Sequence, residues 1–543
     1  MFSESCWLKK IASIDLPIVK SIDDIVNHLS QYQNLILQAE AGAGKTTLVP
    51  IALLEVVPKD KKILVLEPRR LAARNAAVRM ASIIDEEVGK TVGFRIRNET
   101  NVSVATRIEV ITEGILTRML QSDPELVDVG LIIFDEFHER SVDADLGLAF
   151  ALEVQQTLRE DLKLLVMSAT LDTKSIAQLL HDSSIIKVKG RSYPVSIEYI
   201  SASTRLQSYS SNKKQQWLQP LLSATDQAID KTDKDILIFL PGVAEIRQTK
   251  KILEERLSAV LVKNRVEIVQ LYGDLAFAQQ QKALMPIARK RKIILSTNIA
   301  ETSVTIEGVD CVIDSGLMRQ SEFDPNVGFD RLFTKKISLA SATQRAGRAG
   351  RLSAGLCYRL WSESEELRAE TVPEILRTDL ASFVLELAKW GMTNPADIAL
   401  LDQPSAGSLQ QAQSLLTDLK ALDKQNKINT HGGNILSLGV HPRVGHMLLS
   451  SIALGSVELA CLVAAMLEEK DILQGEARFN SDYLTRIEYI VNASKCNKNY
   501  QQILLQSKNL KNKLSRFIRL SNIKQKDTSQ VMELAPILTC LLY

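Results

Sequence analysis

Aromatic side chains are scarce in this 543-residue chain, at 5%. So thin a supply disfavours a protein that reads nucleic acid by stacking many bases on exposed rings, and it leaves phosphate contacts as the means of grip. A surplus of one charge is also missing. Lys and Arg number 66 against 64 Asp and Glu, a net +2, which neither demands nor forbids a polyanionic partner. The six cysteines (Cys6, Cys311, Cys357, Cys461, Cys496, Cys540) form no CxxC pair. That spacing suits neither a zinc knuckle nor a disulfide framework and predicts reduced thiols in a cytoplasmic protein. Met1-Phe2-Ser3-Glu4-Ser5 shows no basic stretch leading into an apolar core, so no signal peptide is expected. One segment, Met447 to Leu467, is apolar enough to suggest a membrane span. Glu458 near its middle and Gly455-Ser456 predict two buried helices there instead, and no membrane partner.

What is present is ordinary globular material. Hydrophobic residues at 45% and charged residues at 24% exclude disorder and collagen-like repeats, and the length predicts three or four domains at about 150 residues each. Over residues 35–360, short apolar runs alternate with helix-like stretches. Leu35-Ile36-Leu37, Ile63 to Leu66, Leu131 to Phe134 and Leu164 to Met167 have the look of parallel strands buried on both faces. Each ends in polar or small residues, where an open α/β sheet has its ligand crevice. After a polar stretch, Ser201 to Lys234, a second series follows: Ile236 to Phe239, Val266 to Leu271, Lys292 to Leu295 and Val309 to Ile313. The fold class is therefore α/β, in two tandem halves. Beyond Trp361 apolar residues fall at helical spacing, as in Leu380, Phe383, Val384 and Leu387. Val491 to Lys526 holds nine Lys and Arg and no acid, either a solvated helix face or a phosphate-tracking surface.

Residues 39–47 read Ala-Glu-Ala-Gly-Ala-Gly-Lys-Thr-Thr between an apolar strand and an apolar helix expected to begin near Leu48. Gly42 and Gly44 let backbone N–H groups close around an anion, and the helix N-terminus adds its positive dipole end. Lys45 would reach β/γ-phosphates and the Thr46 hydroxyl would ligate Mg²⁺. Ala39 replaces the first glycine of the usual phosphate-loop signature. A second strand ends in Asp135-Glu136, where an aspartate can hold Mg²⁺ through water and a glutamate can orient or deprotonate an attacking water. The third element is Gln344-Arg345-Ala346-Gly347-Arg348-Ala349-Gly350-Arg351. Its arginines are three apart and on a helix would share roughly one face. They suit either a phosphate backbone or fingers that reach across a cleft to a transferred phosphoryl group.

With these residues in view, the chain resembles superfamily 2 helicases of the DEAH/RHA type, and within them the bacterial HrpB group. The tetrad stands as Asp135-Glu136-Phe137-His138, with Phe137 for the usual alanine. Glu67 to Arg74, Thr112 to Leu116, Ser168-Ala169-Thr170, Phe239 to Gly242, Leu271 to Asp274, Ser296 to Ser303 and the arginine motif follow in matching order. The HrpB likeness draws on Val372 to Leu376 and His441-Pro442-Arg443.

The resemblance implies two tandem RecA-like P-loop domains, at 1–196 and 197–361, then a winged helix at 362–430 and a helical bundle at 431–543. It implies ATP and Mg²⁺ as cofactors. Gly42, Gly44, Lys45, Thr46 and Thr47 would bind the nucleotide with Asp135, and Arg79 would cover the adenine. Thr46, Asp135 and Glu136 form the metal side, with Glu136 as catalytic base. Gln344 would sit near the γ-phosphate with Arg348 and Arg351 as fingers. His138, Ser168 and Thr170 would couple hydrolysis to strand movement, and Arg69, Arg70, Thr112, Gly242 and Thr302 would contact a single strand, RNA ahead of DNA. A β-hairpin between Met318 and Thr343 is implied too. HrpB proteins continue beyond the point where this chain stops, so the expectation is a C-terminally short member. It would be a 3′-to-5′ helicase or, with accessory parts missing, an ATP-gated strand binder that does not unwind. Protein partners are not legible, and Phe137 is expected to alter how the tetrad couples to its neighbours.

Overall fold

Parallel strands form where β-branched and leucine-rich runs can be covered on both faces, and all eight runs named above are strands. The computed structural model describes residues 6–40, 42–97, 99–169, 173–191, 193–200, 217–258, 265–287, 290–302, 306–324, 328–473, 477, 480, 482–492 and 498–521. Thr170, much of the polar stretch and the end of the basic run lie outside them.

Eight strands build the first sheet: β1 (Asn34–Ala39), β2 (Lys62–Glu67), β3 (Val92–Ile96), β4 (Glu99–Asn101), β5 (Ile108–Thr112), β6 (Val129–Phe134), β7 (Lys163–Ser168) and β8 (Ile185–Val188). Their order is β4-β3-β5-β2-β6-β7-β1-β8, parallel except for β3 with β4. The register sets Gln38 beside Ser168 and Leu66 beside Phe134. The sites of Thr112, Glu67, Asp135, Ser168 and the glycine loop thus share one edge, at the carboxyl ends of β5, β2, β6, β7 and β1.

The second sheet uses β9 (Val195–Tyr199), β10 (Asp235–Phe239), β11 (Val266–Leu271), β12 (Arg291–Ser296), β13 (Val309–Asp314) and, later in the chain, β16 (Gly355–Arg359). Its order is β11-β12-β10-β13-β16-β9, parallel throughout. Between β13 and β16 the hairpin appears as β14 (Leu317–Asp324) paired antiparallel with β15 (Phe329–Lys336). Both sheets fall in one compact unit, residues 1–378 with 398–402.

A second unit comprises residues 379–397 and 403–543, and its described elements are mainly helical. The Met447 to Leu467 segment is two helices, as its glycine predicts. Pro442–Leu454 stops at Gly455, whose φ of 65° suits glycine as a helix terminator, and Val457–Glu468 follows. No described helix is long and apolar enough to cross a membrane. The basic helix Lys498–Ser521 packs Ile503, Leu510 and Leu514 into this unit's core. Lys513 donates to the Leu438 carbonyl at 2.7 Å, Lys511 pairs with Glu458 and Arg516 bonds Ser437. Part of the cationic run therefore staples the bundle together.

Candidate active site

The glycine loop delivers the helix Lys45–Ala52, which begins three residues earlier than its apolar pattern suggests because Lys45 to Thr47 form its first turn. Gly42 and Gly44 have φ of 87° and 94°, a region where side chains are strained. A Cβ at Gly44 would also stand 2.8 Å from Leu16. The helix N-terminus therefore opens toward the β1 edge with its N–H groups directed at the loop.

Lys45 is buried and points at the end of β6. Its Nζ donates to Glu136 Oε1 at 2.9 Å and lies 3.8 Å from Asp135 Oδ1. Thr46 Oγ1 donates to Asp135 Oδ2, and the Glu136 N–H donates to Asp135 Oδ1 at 2.7 Å. Thr47 Oγ1 turns back to the Gly44 carbonyl at 3.4 Å. Burial works against the Lys45 charge, but Glu136 and Asp135 outweigh it and raise the ammonium above its ordinary value. Burial likewise opposes the Glu136 charge, and Lys45 with His138 overcomes it, holding that carboxyl down at about 2. At Asp135 burial wins and the carboxyl is raised.

A third carboxylate belongs to the cluster. Glu67 ends β2 just as Asp135 follows β6 on the adjacent strand, and it is 1% exposed. Burial, then the charges of Asp135 and Glu136, push it well above the usual range. Its sequence signal was an acid closing an apolar strand, the same signal that marked Asp135.

The second half of the chain closes the site. The helix Leu339–Ala346 is capped by Ser338, whose hydroxyl accepts the Ser341 N–H at 3.1 Å. It ends before Gly347, so Arg348 and Arg351 sit on the turns that follow, not along one helix face with Arg345. The three arginines divide accordingly. Arg345, 1% exposed, bonds Glu301 at 2.9 Å and Asp314 at 2.8 Å and lies over the Phe239 ring at 4.8 Å, which is core architecture. Arg348 Nε donates to the Glu301 carbonyl at 2.9 Å. Burial drives its guanidinium well below the ordinary range, Arg351 adds to that, and Glu136 pulls the other way. Arg351 lies against the glycine loop, where a Cβ on Gly42 would stand 3.7 Å from its Cζ. Burial lowers it to about 10, and its Nη1 is buried with no hydrogen-bond partner among the described residues.

Gln344 and His138 join the halves: Gln344 Nε2 and His138 Nε2 are hydrogen-bond partners at 3.1 Å. His138 Nδ1 in turn lies 3.5 Å from Glu136 Oε2. Phe137 does not enter the site. It is 1% exposed and meets Phe134 edge-on, centroids 6.2 Å apart. Arg69, after β2, reaches across to the Asn298 carbonyl at 3.1 Å and to Glu139 at 3.1 Å, and Thr302 donates to the same Glu139 at 2.6 Å. Thr112 precedes the helix Glu113–Ser122, and Gly242 precedes the helix Val243–Arg256, a Cβ there meeting Arg319 at 2.7 Å. Arg70 and Arg79 are exposed, on the helix Arg70–Ile83, and Ser168 is fully buried at the end of β7.

Two family models match these two halves: DEAD/DEAH box helicase over residues 21–179 and helicase conserved C-terminal domain over residues 213–353. The chain belongs to the DEAD/DEAH box helicases. The chain is 42% identical over 457 residues to the ATP-dependent RNA helicase HrpB of Escherichia coli K12, covering 84% of this chain and 55% of HrpB. It is 35% identical over 465 residues to the ATP-dependent RNA helicase HrpA of the same organism, covering 84% of this chain and 35% of HrpA. The crystal structure of Escherichia coli DEAH/RHA helicase HrpB superposes with a TM-score of 0.83 at 39% identity, over 97% of this chain and 63% of that one. The architecture is thus two RecA-like α/β domains followed by a mainly helical C-terminal region. The chain spans roughly half the length of the HrpB it matches.

The residues present fit a nucleotide with its magnesium ion. A buried guanidinium donor lies against a glycine loop whose positive φ angles suit glycine, and a hydroxyl and a carboxylate meet beside it. No cluster of three or more His, Cys, Asp or Glu able to hold a metal occurs among the described residues. The Thr46 hydroxyl and the Asp135 carboxylate suit a cation that takes few protein ligands and completes its shell with phosphate and water.

Proposed function

We propose that this chain is an ATP-dependent helicase that couples hydrolysis to 3′-to-5′ movement along a single strand, RNA in preference to DNA. Its motor halves would be residues 1–196 and 197–361, followed by a winged helix at 362–430 and a helical bundle at 431–543. We place it in the cytoplasm, a reading supported by the buried free thiols of Cys311, Cys357 and Cys461. The observation that carries the proposal is the meeting of Arg351 with Gly42. A phosphate lying on that loop would touch donors from both halves, so the halves must move relative to each other as phosphate comes and goes.

Thr46 and Asp135 would hold magnesium, which draws charge off the phosphate oxygens when bound. Lys45, Gly42, Gly44 and Thr47 would cradle the phosphates and Arg79 would lie against the base. The resting contacts carry a consequence for the base. Glu136 is held near 2 because Lys45 faces it, and a carboxylate so acidic accepts protons poorly. As Lys45 turns to the β/γ-phosphates, Glu136 loses its ammonium while its burial remains, and its basicity rises when water is to be deprotonated. Arg348, Arg351 and Gln344 would stabilise charge on the transferred group. His138, bonded to Gln344, with Ser168 and Thr170, would report the change to the strand contacts at Arg69, Arg70, Thr112, Gly242 and Thr302.

The test is ATP turnover with matched RNA and DNA oligonucleotides, run beside displacement of a paired strand. RNA should stimulate turnover, and salt should reverse that stimulation. No stimulation by either polymer contradicts the motor reading. Stimulation without displacement leaves an ATP-gated strand clamp.

A further inference from the structure

Glu139, directly after the Asp-Glu-Phe-His tetrad, occupies a place its neighbours do not explain. One of its oxygens accepts from Arg69 Nη2 at 3.1 Å and the other from Thr302 Oγ1 at 2.6 Å. Arg69 belongs to the first half of the motor and Thr302 to the second. A single planar anion therefore takes a guanidinium from one half and a hydroxyl from the other. A phosphodiester offers the same features, one negative charge and two free oxygens able to accept those donors. The Arg69 and Glu139 side chains keep 25% and 19% of their exposure, so a strand arriving from solvent can reach them.

We propose that Glu139 is a positioning residue that stands in for a backbone phosphate, holding Arg69 and Thr302 ready and giving way when a strand enters. The inference rests on the proposed role of those two residues in gripping the strand. The Glu139 backbone is anchored by contacts separate from those of its side chain. The Glu139 N–H donates to the Glu136 carbonyl at 2.9 Å, and the turn is bounded by Glu136 and Arg140 with φ of 49° and 50°. Two non-glycine residues in the left-handed region persist only where surroundings over-determine them. Here Arg140 is clamped by two bonds of 3.0 Å to Asp145 and one of 2.6 Å to Asp402. The carboxylates around it disfavour a further negative charge on the inner side. Glu67 and Glu113 are raised by burial first and by surrounding carboxylates, Glu139 among them. Displacement thus sends the side chain toward solvent while the turn that carries Glu136 and His138 stays anchored.

The experiment uses the full chain and its E139Q and E139D variants, with a labelled oligouridine followed by anisotropy across a salt series. E139Q keeps the size and an acceptor but not the charge. It should bind oligouridine about tenfold tighter, the low end of what one charge-assisted hydrogen bond contributes. The slope of log affinity against log salt should steepen by about 0.7, one further counterion released from a single strand. A residue that merely props the fold would not move that slope. The half-saturating oligouridine in ATP turnover should fall in step, and E139D should return both readouts toward the parent. E139Q binding equally or more weakly, with an unchanged slope and an unchanged melting temperature, overturns the proposal. Arg69→Ala made on top of E139Q separates the two readings. If it weakens oligouridine binding while E139Q alone does not tighten it, only the phosphate mimic falls; if it leaves affinity untouched, the strand-grip reading falls as well.

Discussion

Glu136→Gln removes the base while leaving the cradle, because the Gln amide oxygen can still accept from Lys45 at the 2.9 Å position that Glu136 Oε1 holds. What disappears is the charged member of three buried carboxyl groups, Glu67, Asp135 and Glu136, gathered around one buried ammonium. Because Lys45 and His138 favour the charged carboxylate over its neutral form, the amide should cost stability, on the order of 1–3 kcal/mol, read as a lower melting temperature in a chain that still folds. The linkage is silent near neutrality. Glu136 is depressed from 4.5 to about 2, so its contribution is present above pH 4.5 and is lost only as pH falls through about 2. Turnover is a different matter. A positioned base contributes roughly 10²–10⁴-fold, or about 3–5 kcal/mol of barrier. The assay is steady-state ATP hydrolysis with saturating RNA, paired with titration of a fluorescent ATP analogue and a melting curve. Nucleotide affinity should hold while turnover collapses. Hydrolysis within about threefold of the parent, or a loss of affinity as large as the loss of turnover, would refute the assignment of Glu136 as base and of Lys45 as the principal phosphate ligand.

Three further outcomes follow from the same contacts. Lys45→Ala should abolish the rise in melting temperature that Mg-ATP gives the parent chain, and an undiminished rise contradicts its role. Glu113 is raised to about 8 by burial, against a bond from Ser141, so the fold favours its neutral form. That stability is complete below pH 4.5 and is lost as pH rises through about 8; Glu113→Gln should flatten the fall in melting temperature over that range, and parallel curves contradict it. Arg345→Met leaves Glu301 and Asp314 without their buried cation and should cost about 3–5 kcal/mol of stability, read as a lower melting temperature; an unchanged melt would mean that Arg345 is not the structural member of its motif.

Much of the fold was legible because parallel strands covered on both faces announce themselves as unbroken apolar runs. The strands that escaped notice are those that break this rule. β5 carries Glu109, which is buried and accepts from Arg95 of the adjacent β3 at 2.6 Å, so neither strand reads as continuous hydrocarbon. Spacing located the glycine loop and the acidic pair, since both depend on one turn of chain at the end of one strand. It could not divide the arginines. Residues three apart share a face only while a helix lasts, and this helix ends at Ala346. Nor could it find Glu301 or Glu139, whose partners lie in other elements and depend on how the two halves meet. The substitution at Phe137 was expected to disturb the tetrad. Its ring instead turns inward onto Phe134, because a short turn after β6 gives a large apolar side chain a place in the core.

In the proposed motor both halves touch the same triphosphate in one cleft, and Arg351→Ala tests that most directly. Arg351 meets the glycine loop from the second half with a buried donor and makes none of the carboxylate pairs that hold Arg345 in the core. Its removal should leave the melting temperature nearly unchanged and lower RNA-stimulated ATP turnover by about 10³-fold or more. A folded Arg351→Ala chain that hydrolyses ATP at the parental rate would mean that the second half does not reach the nucleotide.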